Sequence, residues 1–113
     1  MPPKENPLKL NVLQLKTLTL LQELAKDPQN AAAQHDGAIR ITRFPSAHGN
    51  HFHIGDAAVN ASDASGLYNE NVWKALDRKA LTQSSYPNAI TLTPAGLSYD
   101  TGAGKKILRR ADH

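Results

Sequence analysis

The chain has 113 residues, 40% of them apolar and 20% charged, with no cysteine and a formal net charge of +3. That length holds one domain with one core, and the composition is that of a globular chain rather than a disordered one. The missing thiols exclude disulfides, thiolate zinc sites, iron–sulfur clusters and cysteine nucleophiles.

The charge is unevenly placed. Residues 1–100 hold nine Lys or Arg and nine Asp or Glu, out of chain totals of 13 and 10. The excess therefore lies in Lys105, Lys106, Arg109 and Arg110, opposed only by Asp112. The N-terminus, Met1-Pro2-Pro3-Lys4-Glu5, lacks the basic-then-apolar profile of a signal peptide. Lys16 and Glu23 interrupt the leucine-rich stretch that follows. A cytoplasmic protein with no membrane span is expected.

Residues 1–10 read as an irregular, proline-rich lead-in. From Asn11, Leu13, Leu20, Leu21 and Leu24 recur at helical spacing, with Leu10, Leu15 and Leu18 widening the stripe. Asn11 with Gln14 forms a capping-box pattern and Asp27-Pro28 stops the run, so a helix over 12–26 is expected. Its broad leucine face also offers a seam for a homodimer. Gln29 to Gly37 reads as a polar connector. Ala38 to Phe44 alternates apolar and polar residues, as does the run beginning at Phe52 and Ile54, so a β-hairpin of 38–44 with 51–55 is expected. Residues 56–61 fit a short helix capped by Asp56 slightly better than a continued strand.

Asn69, with Glu70 in the first turn, caps a second helix that buries Val72, Trp73, Leu76 and Ala80 and turns Lys74, Asp77 and Arg78 outward. Leu81-Thr82-Gln83 and Ala89-Ile90-Thr91-Leu92 flank a turn and read as a second hairpin. Thr93-Pro94 opens a short helix to about Tyr99, with proline at the tolerated first position. The Gly102-Ala103-Gly104 run then loosens into a flexible basic tail over 102–113. The whole is α+β, with a single domain over 11–101.

Two strings carry a resemblance. Val72-Trp73-Lys74-Ala75-Leu76-Asp77-Arg78-Lys79-Ala80-Leu81 resembles the end of a winged-helix recognition helix, where apolar positions and a basic pair precede Gly-Leu. Eleven residues after Leu81, Leu92-Thr93-Pro94-Ala95-Gly96 resembles the Leu-Thr-x-x-Gly that closes the wing in MarR-like regulators. The resemblance spans residues 56–101 and implies a winged-helix-like domain with an additional β-hairpin. Three departures stand out: Ala80 replaces the usual glycine, the wing at 84–89 has no Lys or Arg, and the hairpin before the second helix is large.

The resemblance implies a small bacterial DNA-binding protein and transcriptional regulator. Tyr68, Asn69, Asn71 and Lys74 would face a groove, with Arg78 and Lys79 beside the backbone. The alternative is a protein–protein interaction module on the same fold. No cofactor is expected. His48, His51 and His53, with Asp56 beyond, are the residues that could hold zinc, nickel or copper, but polar-face histidines need no metal, and none is assigned. No nucleophile elbow, paired carboxylates or phosphate loop accompanies them, so an enzyme is not expected.

Overall fold

Helix α1 (Val12–Leu24) begins at a reciprocal cap: Asn11 Oδ1 accepts from the Gln14 amide at 2.8 Å and Gln14 Oε1 accepts from the Asn11 amide at 2.9 Å. The computed structural model describes residues 6–46, 49–54 and 57–110. In it α1 ends at Leu24, two residues before the expected stop, because the chain tightens into a last turn in which Lys26 and Asp27 donate to Glu23 and Leu24. Leu18, Leu20, Leu21 and Leu24 are all buried in the domain's own core. The leucine face proposed as a dimer seam is therefore consumed within one chain. Val12, 66% exposed, is left outside it.

Strands β1 (Ala31–Ala33) and β2 (Ile39–Ile41) form a tight antiparallel pair, turned through Gly37 at φ +89°. β1 lies inside what the sequence presents as a polar connector. β2 does not pair with residues 51–55. Its other edge takes β6 (Ala89–Leu92), with Ile39 opposite Leu92 and Ile41 opposite Ile90. Strand β3 (His51–Ile54) pairs instead with β4 (Ala57–Asn60) in the register His51–Asn60 through Ile54–Ala57. The expected hairpin is thus replaced by two others, each closed over a shorter loop and so at a lower entropy cost. The expected helix near 56–61 is corrected as well. Ala57 and Val59 are buried while Asn60 is exposed, a period of two that suits a strand.

A 3₁₀ turn (Ser65–Tyr68) leads through the cap Asn69 into α2 (Glu70–Arg78). β5 (Thr82–Ser85) and β6 follow as a hairpin, and Thr93 caps α3 (Pro94–Ser98) by accepting from the Gly96 amide at 3.1 Å. Four strands make one sheet in the order β1-β2-β6-β5. A second sheet has the order β3-β4-β7, where β7 is Arg109–Arg110. The segment expected to be a loose tail is therefore folded over its described part. Helix α4 (Gly104–Ile107) sets Ile107 into the core, and β7 pairs with β4 at Ala57 and Ala58. Its apolar Ile107-Leu108 pair outweighs the glycine run that precedes it.

One core serves both sheets. Trp73, Leu76 and Leu81 from the second half join Leu18, Leu20, Leu21 and Leu24 of α1 and Ile41, Ile54, Ile90 and Leu92 of the strands. The glycines show how close the layers lie. A Cβ on Gly66 would strike the Thr17 side chain of α1, and one on Gly96 would strike the Leu81 carbonyl. Lys16 Nζ adds a 2.7 Å ion pair from α1 to Asp63.

The end of α2 follows the two-bond left-handed pattern: Leu81 N–H donates to Leu76 O at 3.2 Å and Ala80 N–H to Asp77 O at 2.9 Å. Ala80 sits at φ +62°, where its Cβ is strained, as the missing glycine implies. Ala80→Gly should raise stability by about 1 kcal/mol, read as a higher urea midpoint with unchanged slope. Leu76, fully buried, should behave oppositely. Leu76→Ala should lose about 2–5 kcal/mol in the same titration, and a near-neutral result would contradict this packing.

Candidate nucleic-acid interface

The outward face of α2 follows from its periodicity. Val72, Trp73, Ala75 and Leu76 are buried, whereas Ala80, expected on the same side, is exposed because the helix has already ended and the chain turns left-handed there. Asn71, Lys74 and Arg78 are left exposed at i, i+3 and i+7 along one stripe. Lys79, exposed at the C-cap, lies off this stripe, where it lines an open cleft with Leu8, Leu81 and Ala95. Glu70, in the first turn, lies 3.6 Å from Lys74, and both side chains are more than half exposed, so the pair is weak. Of the six residues expected to contact nucleic acid, the structure lines up three, Asn71, Lys74 and Arg78, with Lys79 exposed to one side.

The other two are occupied otherwise. Asn69 Oδ1 accepts the Asn71 amide at 3.0 Å, so its side-chain oxygen caps the helix. Tyr68 donates its hydroxyl to the Pro45 carbonyl, and its ring stacks on Phe52 with centroids 6.1 Å apart. Burial of the ring, and secondarily Tyr86, push the Tyr68 hydroxyl above the ordinary tyrosine range. Its remaining surface, 48% exposed, is an aromatic shoulder beside the start of α2 rather than a polar reader.

Sequence reasoning also turned Asp77 outward. The structure turns it onto the hairpin, where its carboxylate accepts from Thr82 Oγ at 2.5 Å and from Ser84 Oγ at 2.6 Å. Both donors alternate on the inner face of β5, and a carboxylate one helical turn before a strand with Thr-x-Ser was the legible signal. The bonds fix the hairpin's direction relative to α2. Trp73 supports it from beneath: its indole N–H donates to Leu67 O at 3.1 Å and its ring meets Tyr86 edge-on at 4.7 Å. The turn between the strands exposes Ser85, Pro87 and Asn88 without a cation, as expected from its composition.

Two further features lie away from this face. His51 and His53 approach each other on β3, with Nε2 atoms 3.1 Å apart. His48, the third histidine of the sequence cluster, and Asp56 lie outside the described residues. Among the described residues no group of three or more His, Asp or Glu converges on one point. An open cleft of about 800 Å³ runs between α1, α3 and α4, past Gln22, Ile39, Leu97, Tyr99 and Leu108. Gln22 Nε2 crosses it to the Gly96 and Tyr99 carbonyls at 2.9 and 2.8 Å. The cleft exists because α4 is folded, which is why the sequence did not suggest it.

No family model, curated protein or solved structure matches the chain. The class that fold and site define is a small α+β domain with a cationic helix face beside a clasped β-hairpin. Among the described residues, no helix is long and apolar enough to cross a membrane.

Asp77 offers a direct test of the clasp. Asp77→Ala leaves two buried-side hydroxyls without their charged acceptor and should lose about 1.5–3 kcal/mol. Amide exchange should accelerate first in residues 82–92. Uniform acceleration across α1 as well would mean that the carboxylate does not act on the hairpin in particular.

Proposed function

We propose that this chain is a small winged-helix DNA-binding protein that acts as a transcriptional regulator, with α2 as the reading helix and β5–β6 as the wing. The observation that carries this reading is the order β2-β6-β5 combined with a helix that runs directly into β5. In a winged helix the strand between the first and second halves pairs with the second wing strand, and here Ile39 and Ile41 of β2 meet Leu92 and Ile90 of β6. On this reading strands β3 and β4 and the 3₁₀ segment stand in for the second helix that the resemblance implies.

The chemistry of the exposed stripe fits the same reading. Asn71 can pair bidentately with adenine, while Lys74, Arg78 and Lys79 can neutralise phosphates. With so few cations affinity is modest and strongly salt-dependent. A protein-interaction module is the competing reading, favoured by the uncharged wing and the aromatic shoulder at Tyr68.

The experiment is duplex binding at two salt concentrations, with random DNA and DNA from upstream of the coding region. Each phosphate contact should contribute about 0.9 to the logarithmic salt slope. Lys74→Ala with Arg78→Ala should remove most of the affinity for the preferred DNA, and Asn71→Ala should narrow the difference between the two DNAs. The C-terminal cations are tested by changing Lys105, Lys106, Arg109 and Arg110 to Gln, since deleting the segment would remove Ile107 from the core. That variant should weaken both DNAs equally. Equal binding of the two DNAs by the unaltered protein, unaffected by the Lys74 and Arg78 changes, would reject the regulator in favour of the interaction module.

A further inference from the structure

We propose that His51 and His53 form a two-imidazole chelate for a divalent transition ion of the zinc, nickel and copper group. The two residues alternate with Phe52 and Ile54, whose side chains are buried, so both imidazoles stand on the outward face of β3. Their Nε2 atoms lie 3.1 Å apart, with the rings at 85° and their centroids 4.8 Å apart.

That separation matches a chelate bite. Two nitrogens each about 2.05 Å from one ion are about 2.9 Å apart at a right angle and about 3.3 Å apart at the tetrahedral angle. The observed 3.1 Å falls between them, so the rings can take an ion with little rearrangement. In the metal-free pair one Nε2–H donates to the other ring. On binding, each ring carries its proton on Nδ1 and turns its Nε2 lone pair to the ion, a tautomer change with no net change of charge. Imidazole selects zinc, nickel and copper over magnesium and calcium, and water completes the coordination.

The backbone holds the pair in place. β3 is registered over its full length against β4, and β4 is in turn paired with β7, so the ligand strand belongs to a three-stranded sheet. Opposite His53 stands Ala58, which is in turn in register with Arg109 of β7. Opposite His51 stands the exposed Asn60.

The test is calorimetric titration of the full chain with zinc chloride and with nickel chloride. One ion per chain should bind, and His51→Gln and His53→Gln should each weaken it about a hundredfold, the order of gain from a second tethered ligand. His35→Gln, at an exposed turn position, should leave it unchanged. Long-range proton–nitrogen spectra of the unaltered protein give a second readout that survives any folding failure of a variant. Zinc should shift the Nε2 resonances of His51 and His53 together while both Nδ1 atoms stay protonated. Absence of binding, binding that persists in either variant of the pair, or a zinc-induced shift confined to other histidines would overturn the proposal.

Discussion

Ile41 opposite Ile90 and Ile39 opposite Leu92 join two stretches of chain separated by half the sequence, and the remaining architecture depends on that pairing. It closes a long loop, whose entropy cost must be met by burial of Ile41, Ile90 and Leu92 in the shared core, with Ile39 half-buried at its edge. Once it forms, the hairpin β5–β6 is anchored on its inner edge. The helix that feeds it is held over the same core, because Trp73, Leu76 and Leu81 share that core with the α1 leucines. Without it, α1 and the hairpin would be joined only through α2 and the short α3.

The direction of the hairpin relative to α2 rests on more local chemistry. The left-handed turn at Ala80 sets the angle, and the Asp77 carboxylate holds Thr82 and Ser84 against the helix. Gly96 then lets α3 lie directly on the Leu81 carbonyl. These three contacts fall within twenty residues of one another in the chain. They make the exposed helix face and the β5–β6 hairpin one rigid unit.

The functional face is narrower than its composition suggests. A residue can read a ligand only with polar groups that the fold has not already engaged, and Asn69 and Tyr68 are engaged by the helix cap and the Pro45 carbonyl. Asn71, Lys74 and Arg78 remain along the stripe. The C-terminal arginines belong to a different part of the molecule, since β7 places Arg109 and Arg110 in register with Ala58 and Ala57 on the second sheet. The basic segment's two arginines thus stand on the far edge of β4 from the histidine-bearing β3 rather than on an independent arm.

What the sequence determined by itself was whatever depends on short-range pattern and backbone chemistry. The Asn11–Gln14 box, the Asn69 and Thr93 caps, the burial of Val72, Trp73 and Leu76 on α2, the strained Ala80 and the β5–β6 hairpin all follow from residues within a few positions of one another. Strand partners did not. Ala38 to Phe44 and His51 to Ile54 both alternate, and alternation identifies a strand without naming its neighbour. Only the tertiary structure decided that β2 joins β6 and that β3 joins β4, through the burial of Ile41, Phe52 and Val59 against particular faces. Ala57 to Asn60 was ambiguous for the same reason, its small residues fitting helix or strand until a neighbouring edge was present. The C-terminal segment was misread because its charges and glycines are local features, whereas the anchoring of Ile107 depends on a pocket that exists only once α1 and the sheets have assembled.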